Sequence, residues 1–118
     1  MAKNHSVYED MSRAEYKASQ FLAELGLFWR YEQPVYLVDD KERPRVWTPD
    51  FYIPDLGIYV EIVGDGENPQ YSWREMIYKK NHIPIIFVAP YQLDDWKGYL
   101  ISKIDEMHRF RWEIIKRL

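Results

Sequence analysis

There is no cysteine in the 118-residue chain. That excludes a disulfide framework and thiolate metal sites, and nothing demands an oxidising compartment. No internal repeat, low-complexity stretch or Gly/Ser linker interrupts residues 1–118, so a single domain is expected. Long apolar runs are missing too. The most apolar, Ile83 to Ala89, falls far short of the roughly 20 residues that span a bilayer. Met1-Ala2-Lys3-Asn4-His5 opens no apolar stretch of the secretory kind. A soluble, cytoplasmic domain with no membrane partner is the expectation. Nor is positive charge in excess. The formal net charge is −3, whereas a small protein that coats DNA through bulk charge is basic. Any nucleic-acid role must rest on a local patch or a bound metal.

Aromatic residues, by contrast, are abundant, with five Trp and ten Tyr. They can build a core that a disordered segment lacks, and the surplus suits a binding surface or a dimer interface. Ser6 to Gly26 reads as a helix: Tyr8, Met11, Ala14, Ala18, Phe21, Leu22 and Leu25 recur at three- and four-residue steps, and Gly26 is a natural stop. Phe28 to Val38 is a run of β-formers in which Pro34 implies an edge or a bulge, and Asp39 to Arg45 is a polar turn. Val46 to Ile53 and Ile58 to Val63 are strands joined by Pro54-Asp55-Leu56-Gly57, which is good turn chemistry. Gly64 to Glu67 is a loop. Asn68-Pro69 suits an N-cap and first position of a helix running to about Asn81. Ile85 to Ala89 is a short buried strand. Beyond Pro90 the chain is helical again, with Leu100, Ile104, Met107, Ile114, Ile115 and Leu118 on one stripe. Helix, three strands, helix, strand, helix is the order of a small α/β domain with a mixed sheet.

The hairpin carries the most informative geometry. If its turn is centred on Asp55-Leu56, Asp50 lies directly opposite Glu61, with Cβ atoms about 4.5–5.5 Å apart. Phe51, Ile53, Ile58, Val60 and Ile62 then share the other face as core. A turn one residue longer would put the two carboxylates on opposite faces. Like charges directly opposed are destabilising. Either each carboxylate finds its own Lys or Arg on a solvated face, or the pair holds a divalent cation. Mg2+ is often bound by one or two carboxylates together with substrate phosphate oxygens.

Trp47-Thr48-Pro49-Asp50-Phe51-Tyr52-Ile53 followed by Gly57-Ile58-Tyr59-Val60-Glu61-Ile62-Val63-Gly64 resembles the core of the PD-(D/E)XK nuclease superfamily. The Pro49-Asp50 pair, the separation to Glu61 and the element order all match, over about residues 8 to 89. The resemblance implies a restriction-endonuclease-like αβββαβ core with a mixed central sheet and, here, an extra C-terminal helix. It implies a metal-dependent DNA endonuclease using Mg2+, with Mn2+ able to substitute. Asp50 and Glu61 would bind the metal with the backbone carbonyl of Ile62. Glu15, in the first helix, would approach the metal site as a glutamate does in many members, its alternative being an exposed helix residue.

One departure matters. The family lysine should follow Glu61 by two residues, and this chain has Val63. Some branches, including nuclease domains attached to helicases, place a basic residue on the next helix instead, and Arg74 suits that role. Glu61 lies about 7 Å back from the end of its strand, and Arg74 about 7.5 Å into the helix that returns alongside. Lys79 and Lys80 lie about 15 Å along that helix and would cover apolar surface. Arginine stays protonated, so it can stabilise charge but cannot serve as a base.

His5, His82 and His108 form no metal-ligand spacing, and Gly64-Asp65-Gly66-Glu67-Asn68 is neither a P-loop nor an EF-hand loop. Lys41, Arg43 and Arg45, and Arg109, Arg111, Lys116 and Arg117, are candidate contacts to a DNA backbone, each set interleaved with acids. The stand-alone size resembles Holliday-junction resolvases and small repair or phage nucleases, and such domains work as homodimers or within larger nuclease/helicase complexes. The competing expectation is a catalytically inactive nuclease-fold DNA-binding or scaffold subunit, supported by Val63 and the acidic net charge.

Overall fold

Ser12 decides where the first helix begins. Its hydroxyl accepts the Glu15 N–H while the Glu15 carboxylate accepts the Ser12 N–H, a reciprocal capping box. The computed structural model, which describes residues 6–64 and 70–118, therefore starts α1 at Arg13–Glu24. The expected single helix from Ser6 is broken, and Val7–Asp10 forms a separate 3-10 turn. Ala14, Ala18, Phe21 and Leu22 face inward, and Gly26 takes a φ of 74° just past the end. Ser12→Ala is expected to cost about 1 kcal/mol and to lower Tm by about 5 °C in a thermal melt.

The main sheet is mixed and four-stranded. Strands β1 (Arg30–Tyr31), β4 (Phe51–Ile53), β5 (Ile58–Ile62) and β6 (Ile85–Val88) run in the order β1-β4-β5-β6, with β6 parallel to β5 and the other pairs antiparallel. Strands β2 (Val35–Val38) and β3 (Pro44–Trp47) form a separate antiparallel hairpin. Two of the expected long strands are thus each cut in two. Phe28 to Val38 breaks where Glu32 takes a left-handed φ of 56° and Pro34 brings no N–H to a ladder. Val46 to Ile53 breaks at Thr48-Pro49 for the second of those reasons.

Both faces of the main sheet are covered. Phe51, Ile53, Ile58, Val60 and Ile62 do share one face, packed with α1 and with Trp96 and Leu100 of α3 (Trp96–Lys116). On the other face Val35 and Leu37 of the small hairpin meet Ile77 and Tyr78 of α2 (Gln70–Lys80), with Trp47 and Trp73 alongside. Asn81 ties these parts together: its side-chain amide bonds both the N–H and the carbonyl of Val38 and the carbonyl of Ile77. That clamp fixes the position of α2 against β2. The expected N-cap Asn68-Pro69 lies outside the described residues.

The stripe of α3 is core only in part. Leu100 is buried and Ile104 and Met107 pack on the core, but Ile114, Ile115 and Leu118 are exposed, because the helix outruns the sheet beneath it. There Arg111 reaches the Leu56 carbonyl at the hairpin turn. Among the described residues no helix is long and apolar enough to cross a membrane.

Candidate active site

The ladder pairs Phe51 with Val60, Tyr52 with Tyr59 and Ile53 with Ile58. The next step outward sets Asp50 against Glu61, as a turn centred on Asp55-Leu56 requires. Pro49 precedes Asp50, and the ladder ends with a side chain in place of backbone: Asp50 Oδ2 accepts the Ile62 N–H at 2.6 Å. The N–H and carbonyl of a strand residue leave on the same side, so the Ile62 carbonyl also leaves β5 toward Asp50. Glu61 is only 5% exposed. Burial pushes the Asp50 carboxyl up to about 8, the neighbouring Glu61 charge pushes the same way, and the Ile62 N–H opposes both.

Arg74 arrives from α2. Its Nη2 stands 2.8 Å from Glu61 Oε2, and its guanidinium lies over the Trp47 ring at 5.3 Å. Trp47 is wedged edge-on against Trp73 and Tyr78, at 5.5 and 5.2 Å. The expected placement of Arg74 beside Glu61 is what the fold delivers. The flank of α2 that turns inward carries Ile77 and Tyr78, while Met76 is half exposed. Arg74→Met leaves a buried carboxylate without its cation and should cost about 3 kcal/mol. Urea unfolding at pH 8 measures it.

Two buried side-chain polar atoms among the described residues take no hydrogen bond from any protein group: Glu61 Oε2 and the Tyr78 hydroxyl. The Arg74 contact to Oε2 is close but not directed along an N–H, so it acts through charge. Burial, and then the Glu61 charge, push the Tyr78 phenol upward. Sequence reasoning gave neither Tyr78 nor Trp47 a role in the site. The available signals were the four-residue spacing from Arg74 to Tyr78 and an aromatic three residues before Asp50.

Glu15 is part-buried and doubly engaged. One oxygen closes the α1 cap and the other accepts the Tyr31 hydroxyl at 2.9 Å. It is thus no exposed helix residue, and its charge still reaches Asp50 and pushes that carboxyl up.

The candidate DNA-contacting residues are partly committed elsewhere. Asp39 is fully buried and accepts the N–H groups of Lys41 and Arg43 and the side chains of Arg43 and Arg45. Burial alone would raise its carboxyl, but those donors hold it well below the usual carboxylate range. Arg45 also lies over Trp73 at 5.5 Å. Lys80 bonds the Asp39 carbonyl and Glu42, and Lys79 pairs with Glu75, so both make ion pairs where apolar cover was expected. Arg109 pairs with Asp105. His82 ends α2 in a left-handed conformation, and His108 lines a groove of about 510 Å³ between the hairpin turn and α3. That groove sits at the turn end of the hairpin, away from Asp50 and Glu61. Asp65, Glu67 and His5 lie outside the described residues.

Among the described residues no three His, Asp or Glu side chains converge as a ready metal cluster. The donors that do converge are Asp50, Glu61 and the Ile62 carbonyl. All are hard oxygens, and a carboxylate oxygen that accepts no directed hydrogen bond fits a small oxygen-seeking dication. Fold and site together define an α/β domain with a mixed four-stranded sheet and an opposed carboxylate pair, one buried and one part-buried, where its central hairpin opens. No family model, no curated protein and no solved structure matches the chain.

Proposed function

We propose that the chain is a Mg2+-dependent DNA endonuclease with a PD-(D/E)XK core, in which Asp50, Glu61 and the Ile62 carbonyl hold the metal. The observation that carries this reading is the opposed Asp50–Glu61 pair, Glu61 buried and Asp50 partly so, with Arg74 beside it. A stability-driven fold gains nothing from two carboxylates set against each other where one is buried and the other partly so. When bound, Mg2+ or Mn2+ activates a water and stabilises charge on the phosphate and leaving oxygen. Asp50 gives up its proton to become a ligand. Arg74 stays protonated and stabilises the phosphate, taking the part of the lysine that Val63 does not supply. Trp47 holds that guanidinium in place, and Glu15 adds negative charge from α1. The partner is DNA. A preference for branched junctions, a homodimer, or a place in a larger nuclease/helicase complex extends the same reading.

The test is cleavage of plasmid, single-stranded and four-way-junction DNA in Mg2+ or Mn2+, against chelator and Glu61→Ala. Metal-dependent cutting that vanishes in the variant is the expected result; cutting that survives Glu61→Ala would overturn the ligand assignment. A second reading is an inactive nuclease-fold subunit that binds DNA. It is favoured by Val63 at the lysine position and by Arg74 already being paired to Glu61. DNA affinity with no cutting on any substrate would select it.

A further inference from the structure

We infer that Tyr78 is a positioning residue for Glu61, acting through one bound water shared by the Tyr78 hydroxyl, Glu61 Oε2 and the Arg74 guanidinium. The water link stands on packing and hydrogen-bond satisfaction; its value for cation binding rests on the metal-binding reading above.

Tyr78 and Glu61 contribute the two orphaned buried side-chain atoms among the described residues; Arg74 pairs with Glu61, and its guanidinium also acts on the Tyr78 phenol, opposing the rise that burial brings. One is a donor and acceptor, the other an acceptor. Native proteins rarely leave such atoms unpaired, and the usual remedy is a buried water with about three polar partners. Three are present. Arg74 and Tyr78 stand four residues apart on one flank of α2, so guanidinium and hydroxyl face the sheet together. The Tyr78 ring cannot turn away. It is fully buried between Trp47 at 5.2 Å and Phe87 at 6.2 Å, and Phe87 is the residue of β6 in register with Glu61. A water in that corner accepts from the Arg74 guanidinium and from the Tyr78 O–H and donates to Glu61 Oε2. Glu61 is then held from two sides, by charge from Arg74 and by a directed hydrogen bond through the water. A ligand carboxylate held in this way pays less to order itself around a cation.

The test uses the whole chain and the substitutions Tyr78→Phe and Glu61→Ala, singly and together. Phenylalanine keeps the ring and its packing, so only the hydroxyl is at stake. In metal-free protein Tyr78→Phe should lower Tm by about 4 °C with Glu61 present and by under about 1 °C in the Glu61→Ala background. An unchanged or raised Tm, or the same loss in both backgrounds, overturns the shared water. Titration with Mn2+ alone should then give a Kd about tenfold weaker for Tyr78→Phe than for the unsubstituted protein. Equal affinities overturn the positioning role. An unsubstituted protein that takes up no Mn2+ overturns the metal-binding reading instead, and the thermal cycle by itself decides the water.

Discussion

Asp50→Asn should make the metal-free protein more stable at pH 8 and remove its metal-dependent activity. Asparagine keeps an acceptor for the Ile62 N–H that Asp50 now holds at 2.6 Å, so the end of the ladder survives. What disappears is the cost of ionising a second carboxylate in a buried site that already contains Glu61. The expected gain is about 1–2 kcal/mol, or about 5–8 °C in Tm, read by scanning calorimetry at pH 8. The activity arm moves the other way. Loss of one of two side-chain ligands removes several kcal/mol of charge stabilisation, so cleavage should fall at least about a thousandfold. An Asp50→Asn variant less stable than the unsubstituted protein would show that the pair is not strained. Undiminished cleavage would remove Asp50 from the ligand set. Opposite signs in the two arms are the signature of residues kept for chemistry at the expense of folding.

The register of the central hairpin was legible because one face must be apolar. Phe51, Ile53, Ile58, Val60 and Ile62 can share a face only if the turn is centred on Asp55-Leu56, and that choice drives Asp50 and Glu61 together on the other. Arg74 was legible for a similar reason, since strand and helix rises are nearly constant and the connecting geometry is tight. The mixed sheet followed from the order of elements. The specific restriction-endonuclease-like arrangement stays within the proposal, because strand order and crossing pattern rest on more than alternation.

The parts that could not be read depend on how separate pieces dock. Nothing local to Phe28 to Val38 says that Val35 to Val38 will leave the main sheet with Pro44 to Trp47 and cover α2 instead. That docking is what brings Trp47 over Arg74 and buries Tyr78, so the second layer of the site was invisible while its first layer was plain. Asp39 is a similar case. In sequence it sits in a polar turn; in the fold it is wholly buried, satisfied by the groups that were candidates for the DNA backbone. The capping box was an overlooked local signal: Ser12 and Glu15 have the right spacing to start a helix, and the apolar periodicity running back to Tyr8 hid it.

The same carboxylate pair should make stability fall as pH rises through neutrality, and a dication should reverse the fall. Burial and the neighbouring Glu61 charge push the Asp50 carboxyl from its ordinary 3.8 up to about 8 in the folded chain. A carboxyl raised on folding binds its proton more tightly in the native than in the unfolded protein, so between those two values each rise in pH favours unfolding. Asp39 has the opposite sign: its carboxyl is lowered, and the stability it brings is present above the ordinary carboxyl value and lost only in strong acid. It therefore does not act in the window from pH 5 to 8. Metal-free protein should be most stable near pH 5 and should lose about 2 kcal/mol, or about 8 °C in Tm, between pH 6 and pH 8. Millimolar Mg2+ or Mn2+ should restore most of that at pH 8 and little at pH 5, because the cation takes the place that a proton already fills at low pH. Asp50→Asn should flatten the pH profile and abolish the cation response together. A metal-free Tm that is level from pH 5 to 8 would contradict the opposed pair itself. A sloping profile with no cation response would keep the pair and discard the metal, leaving Arg74 as the only counter-charge Glu61 was built to meet.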